Sequence, residues 1–202
     1  MDKELFNIIE EKFPIIGTFL EIGCWDGEQI SQTAHLERKG WTGVCVDPFP
    51  RNFANREATL VSKAISSDGK DKEFTKVYYD KRDGGDVSYF SGFTETLSDH
   101  WKLIEEHCHY EKVIIKTITI DDLFMKYSLP RFINFLSVDT EGSEFEILNS
   151  INYKAYKFGI IVVEHNYNIE KKEKIDNLLL ANGYTISHKL EIDTIYINNI
   201  YI

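Results

Sequence analysis

Positive charge is what this chain has least of relative to its opposite. Its 23 Lys and Arg face 33 Asp and Glu, for a formal net charge of -10. Proteins that grip a polyanion neutralise phosphates with Lys and Arg. No basic run supplies that here, so nucleic acid is not an expected partner. No apolar stretch approaches the roughly 20 residues that span a bilayer, and Met1-Asp2-Lys3-Glu4 opens no signal peptide. Cysteine is sparse and odd in number: Cys24, Cys45 and Cys108 lie in scattered contexts. They read as reduced thiols rather than a disulfide framework, and a cytoplasmic setting is the expectation. With only 4 prolines and 43% hydrophobic residues, the 202 residues suit one globular domain, 1–202, with a full core. A start on a helix and an end on a strand also suit a module of a longer polypeptide.

What is present begins with Thr18-Phe19-Leu20-Glu21-Ile22-Gly23-Cys24-Trp25-Asp26-Gly27. An apolar run ends in an acid and breaks into two glycines four apart, ahead of a helical pattern. Strand, tight turn and helix N-terminus make a seat for a nucleotide-like ligand. Before it, Leu5, Ile8, Ile9 and Phe13 predict an amphipathic helix stopped by Pro14 and Gly17. After it the pattern predicts a helix from Glu28 to Lys39 closed by Gly40, and a buried strand over 42–47. A third strand is expected over 58–65, and a less central one from Glu73 to Tyr79.

Residues 80–93 break the rhythm with a polar, glycine-bearing segment and then an aromatic one. A helix with Leu97, Trp101, Ile104 and Cys108 along one face is expected next. The stretch 80–112 reads as a substrate-side insertion, because such loops vary specificity on a fixed scaffold. Strands follow over 132–139 and 158–163, with helices from Glu144 to Ser150 and around Ile175, Leu178 and Leu179. A hairpin at 184–191 and 194–201 closes the chain. The alternation predicts an α/β domain whose mostly parallel sheet has about seven strands, helices on both faces and an antiparallel C-terminal hairpin. Strand C-terminal ends then share one edge, where ligands bind. Glu21–Gly27, Asp47, Asp139–Glu141 and Glu164–Asn166 all fall there.

The dehydrogenase fingerprint needs G-x-G-x-x-G; here the middle glycine is missing. A sulfonium amino-acid ligand without phosphate fits better. Backbone N–H groups near Gly23 to Gly27 are candidates for its carboxylate, and Glu21 and Asp26 for its amine side. Asp47 stands where an acid accepts ribose hydroxyls in nucleotide-binding α/β folds, with Ala64 and Ile65 as apolar contacts for the adenine.

Glu21-Ile22-Gly23, Asp26-Gly27, Val46-Asp47-Pro48, Val138-Asp139-Thr140-Glu141-Gly142-Ser143-Glu144 and Val163-Glu164-His165-Asn166-Tyr167 together resemble the FkbM family of methyltransferases. The resemblance runs from about residue 16 to 196. It implies a class I, Rossmann-like fold, S-adenosylmethionine as cofactor and O-methylation of sugar or natural-product hydroxyls, a deoxyhexose such as rhamnose among them. Cys24-Trp25, Ser137 and Ile192-Asp193-Thr194-Ile195-Tyr196 depart from the family pattern. Gly23, Cys24, Gly27, Ser31, Pro48, Asp139 and Thr140 complete the expected cofactor set.

A sugar hydroxyl is a poor nucleophile until its proton leaves. His165 is a candidate base because imidazole titrates near neutrality; Asp139, Glu141 and Glu164 compete for the role, and the choice stays open at this level. Acids at Glu144 suit a first helical turn. No metal is expected: His107 and His109, two apart on a predicted helix, point to different sides. The alternatives are a methyltransferase for a non-sugar small molecule or protein, and a non-catalytic cofactor-binding module. Fusion to, or association with, a glycosyltransferase is the partner reading.

Overall fold

A computed structural model describes residues 3–13, 15–51 and 53–201. Pro14, read above as a helix stop, lies outside the described residues. The elements in order are α1 (Lys3–Lys12), β1 (Thr18–Ile22), α2 (Ala34–Arg38), β2 (Thr42–Val46), β3 (Thr59–Val61), β4 (Ala64–Ile65), β5 (Lys72–Asp80), β6 (Gly92–Phe93), α3 (Trp101–His107) and β7 (Cys108–Ile115). They continue with β8 (Thr117–Ile118), α4 (Ile120–Lys126), β9 (Phe132–Val138), α5 (Glu144–Asn149), β10 (Lys157–Glu164), α6 (Ile169–Ala181), β11 (Tyr184–Lys189) and β12 (Asp193–Asn198).

Seven strands form the main sheet in the order β11-β12-β10-β9-β1-β2-β3. The run β3-β2-β1-β9-β10 is parallel, and β12 and β11 join it antiparallel as the C-terminal hairpin. The central strands are buried on both faces, which is why β10 reads as a nearly unbroken apolar run, Phe158 to Val163. Strand alternation sorts the core into two clusters. Leu20, Ile22, Leu136 and Val138 pack with Leu123 and Phe124 of α4, Ile147 and Leu148 of α5, and Ile175 and Leu179 of α6. Phe19, Phe135, Ile160 and Val162 pack on the other face with Leu5, Ile8 and Ile9 of α1 and Leu36 of α2. Helices thus cover both faces, as expected.

Three expectations change. The helix read at Glu28–Lys39 shortens to Ala34–Arg38. Side chains claim the backbone donors that a helix would use: Asp26 accepts from the N–H of Glu28 and Gln29, Glu21 from Gln32, and Ser31 from Thr33 and Ala34. The strand read at 58–65 splits, since Lys63 N–H turns back onto the Val61 carbonyl and β4 leaves to pair with β8. The long helix expected near residue 100 shortens to Trp101–His107, and Cys108 opens β7, which also carries His109. Leu97, Ile104 and Cys108 still pack together, with Val77. The apolar side was read correctly and the backbone was not. The 80–112 stretch lies inside a larger unit in which β5 pairs with both β6 and β7.

Candidate functional site

The C-terminal ends of β1, β2 and β9 meet the small β5–β6–β7 sheet across a cavity of about 320 Å³. Its wall takes Gly23 and Trp25 from the loop after β1, and Asp47, Pro48 and Phe49 from the end of β2. Ala64 and Ile65 line it, as do Asp139, Thr140 and Glu141 after β9, and Tyr89 and Phe93 of the insertion.

Two glycines explain why these loops can meet. Gly23 has φ +85, and a Cβ there would lie 1.5 Å from the Asp139 carbonyl oxygen. Gly142 has φ +123, and its Cβ would lie 2.2 Å from the Thr96 carbonyl. The first welds the β1 loop to the β9 loop, and the second lets the insertion close over the β9 loop. Only a residue without a Cβ fits either place. Glu144, fully buried, folds back to hold the turn between. Its Oε1 accepts from the N–H of Thr140 (2.8 Å) and Gly142 (2.9 Å), and its Oε2 from Lys171 Nζ (2.9 Å). Its chief work is therefore on the loop that precedes its helix.

Asp47 is placed as expected for a group that meets a diol. Its Oδ2 accepts from Trp25 N–H and its Oδ1 from Phe49 N–H, at 2.9 and 2.8 Å, and it lines the cavity. Burial pushes its pKa up to about 6, against the pull of those two N–H groups. Pro48, Phe49, Ala64 and Ile65 form an apolar wall beside it. A nucleoside's ring and ribose match this donor and surface set, so the residues present fit such a cofactor.

Five expected cofactor residues do not line the cavity: Glu21, Cys24, Asp26, Gly27 and Ser31. They build the loop from behind. Glu21 accepts from Ser31 Oγ (2.8 Å), Thr33 Oγ1 (2.6 Å) and Gln32 N–H (2.7 Å), and Arg56 lies 3.9 Å away with its side chain 1% exposed. Burial raises the Glu21 pKa while these donors and Arg56 lower it. Arg56 also bonds Glu37, Thr33 and the Gly27 carbonyl. Within the loop, the N–H groups of Gly23, Trp25 and Gly27 already bond Val46, Asp47 and Cys24. Among the described residues, the N–H groups of Cys24 and Asp26 have no backbone acceptor, and neither residue lines the cavity. The chain's periodicity does not announce Arg56. A lone Arg after a proline-bounded loop carries no motif, although buried Glu21 needed a cation from somewhere.

The acids after β9 and β10 converge. Asp139, Glu141 and Glu164 bring one carboxylate oxygen each within 4.8 Å of the others. Glu164 lies outside the cavity wall, and burial and the charges of Asp139 and Glu141 push its pKa to about 11. It hydrogen-bonds Asp139, whose own pKa is raised well above the carboxylate range by burial and by Glu141 and Glu144, so that the pair retains a proton between them. Such a donor set suits a hard divalent cation, but it equally suits a shared proton, and Asn166 Nδ2 already donates to Glu164 Oε2 at 2.7 Å. Glu141 sits at φ +57, a left-handed backbone that is strained for a non-glycine residue.

His165 is set apart from these acids. It does not line the cavity, neither ring nitrogen has a hydrogen-bond partner among the described residues, and the charges that act on it include Lys171, Lys172 and Asp176 of α6. Burial and the two lysines hold its pKa below the ordinary histidine value. Alternation past the end of β10 accounts for this, sending Glu164 and His165 to opposite sides.

The insertion reaches the older loops through polar contacts. Trp25 Nε1–H donates to Ser88 Oγ at 2.9 Å and its ring meets Tyr89 edge-on, Arg51 pairs with Asp86, and His100 Nε2 lies 3.0 Å from Glu141 Oε2. No helix among the described residues is long and apolar enough to cross a membrane. No curated protein and no solved structure was found to match the chain. A family does: the methyltransferase FkbM domain matches residues 21–186, from the acid that braces the first loop to the middle of the closing hairpin. A match over most of the length, carrying all four strand-end clusters, makes this chain a member of the FkbM methyltransferase family.

Proposed function

We propose that the chain is a class I, Rossmann-like O-methyltransferase that uses S-adenosylmethionine and acts on a hydroxyl of a sugar or glycan. One observation carries this reading. A single cavity joins a nucleoside-shaped wall at Asp47, Pro48, Ala64 and Ile65 to the acids Asp139 and Glu141 beneath an aromatic insertion. The cofactor supplies an electrophilic methyl on a sulfonium centre. Asp47 accepts the ribose hydroxyls, the apolar wall takes the adenine, and the loop at Gly23 and Trp25 faces the amino-acid end. At the other end, Glu141 or Asp139 takes the acceptor's proton, and Glu164 supports Asp139 by sharing a proton with it. His165, set back from the cavity, is replaced as leading candidate for the base. Tyr89 and Trp25 offer ring faces on which a sugar's C–H face can stack.

The test pairs two measurements. Calorimetry with S-adenosylhomocysteine is expected to show one site, and no heat would sink the cofactor reading. Labelled cofactor offered with separate sugar, peptide and metabolite pools is expected to label the sugars. Label in peptide or metabolite instead assigns the alternative acceptors. Binding without transfer to any pool points to a non-catalytic module, for example one working beside a glycosyltransferase.

A further inference from the structure

The contact between His100 and Glu141 brings a polar side chain of the insertion onto the carboxylate of an acid in the cavity wall. His100 is the residue just before α3, its ring lies 4.7 Å from that of Phe90, and its side chain is 23% exposed. Its Nε2 is 3.0 Å from Glu141 Oε2, and Asn166 Nδ2 approaches the same oxygen at 3.4 Å. Both groups meet one oxygen. The other, Oε1, has no hydrogen-bond partner among the described residues, while Glu141 lines the cavity. One end of the carboxylate is thus anchored and the other left to receive a proton.

We propose that His100 is a positioning residue for the methyl-transfer reaction: it fixes the Glu141 carboxylate so that Oε1 meets the acceptor hydroxyl. This rests on the methyltransferase reading above. The acceptor's proton passes to Oε1. The electron pair of the broken O–H bond becomes the new bond to the transferred carbon, and the pair of that carbon's old bond leaves with sulfur. Glu141 then returns the proton to solvent. A carboxylate free to swing loses much of the advantage of a held one, because general-base catalysis depends on reach and alignment. The insertion that supplies His100 also supplies Tyr89 and Ser91 to the cavity wall. Closing the insertion and setting the base are therefore one event, and an acceptor that holds the insertion open also misplaces the base.

The test uses the full chain with S-adenosylhomocysteine for binding and spectroscopy. For turnover it uses labelled cofactor with methyl α-rhamnoside, or with whichever pool takes up label. His100→Leu is expected to lower kcat about 10- to 100-fold, the scale of losing a partner that orients a functional side chain from behind. Acceptor KM and S-adenosylhomocysteine affinity should stay within about threefold. His100→Gln, whose amide can reach the place of Nε2, is expected to recover most of the rate. Glu141→Gln should be slower than His100→Leu, and the double variant no slower than Glu141→Gln alone, as for residues that act as a unit. A separate readout needs no acceptor: the hydrogen-bonded Nε2 proton of His100, seen by nitrogen-edited NMR, should vanish in Glu141→Leu, which has no oxygen to accept it. Wild-type kcat in His100→Leu, or persistence of that resonance in Glu141→Leu, overturns the proposal. Should His100→Leu fail to fold, His100→Gln and the resonance still decide it. Failure of the wild type to methylate any pool removes the methyltransferase reading and this one with it, whereas turnover that survives in His100→Leu overturns this one alone.

Discussion

The two ends of the cavity handle their acids in opposite ways. At the cofactor end, Glu21 is buried and saturated: Ser31, Thr33, Gln32 and Arg56 surround its carboxylate, and none of its oxygens faces the ligand space. At the end proposed for the acceptor, Asp139, Glu141 and Glu164 crowd one another, and His100 Nε2 meets Glu141 at 3.0 Å. A saturated acid has a settled charge and serves as a brace. Crowded acids share protons and can exchange them with a substrate. Burial alone did not separate these roles; the supply of donors did.

The largest expected effect would break the frame common to both ends. Gly23→Ala places a Cβ into the Asp139 carbonyl at a positive φ, and a loss of at least about 3 kcal/mol is expected. It is read from the urea midpoint, and a midpoint near wild type would refute the welded-loop account. Arg56→Met isolates the cofactor end. It leaves Glu21 without its buried cation and should cost about 3 kcal/mol, with S-adenosylhomocysteine binding weakened in the protein that still folds. A fully stable Arg56→Met protein would show that Ser31, Thr33 and Gln32 suffice.

Asp47→Asn keeps the shape and removes the charge, so S-adenosylhomocysteine affinity should fall about 10- to 100-fold, the worth of a charged hydrogen bond or two. Calorimetry reads it directly, and an unchanged Kd removes Asp47 from the ribose role. pH probes the same group more gently. The Asp47 pKa is raised to about 6, so the folded protein binds an extra proton between about pH 4 and 6. By itself Asp47 therefore stabilises the fold below that interval and ceases to do so as pH rises through it. Ribose hydroxyls donate to the carboxylate form, so affinity should be flat above pH 6 and fall by up to about tenfold per unit below it. Asp47→Asn should lose that limb. Smallest is Trp25→Phe, which keeps a ring and deletes the donor to Ser88. About 1 kcal/mol is expected, seen as faster amide exchange across 86–91 with cofactor affinity nearly unchanged.

Much of the framework was legible because its signals are local. The apolar runs of β1, β9 and β10 announced buried parallel strands, and the hairpin and helices α5 and α6 fell where periodicity put them. Asp47 was readable from a strand end and a spacing. Other features depend on distant partners. The helix expected from Glu28 gave way because Glu21, Asp26 and Ser31 claim its backbone donors. A window of residues 28–39 contains only part of the reason, Ser31, since Asp26 precedes it and Glu21 belongs to the preceding strand. His165 looked like a base because it adjoins Glu164, but neighbours at a strand's end point apart. His100 carries no motif in the sequence. Its contact with Glu141 spans 41 positions of chain and forms only once the insertion folds back.

The contact of Gly23 with the Asp139 carbonyl has a further consequence for how the enzyme diversifies. Two loops that touch without room for a methyl group act as a fixed gauge, which in the proposed reaction sets how far the donor carbon stands from the acid that receives the proton. Of the insertion, His100 reaches the acid at one end of that gauge, and the glycine contact itself uses none of it. Exchange of residues 80–99 between family members, with His100 kept, is therefore expected to change which acceptors are chosen while the donor side keeps its calibration, so that specificity can drift without the reaction being reinvented.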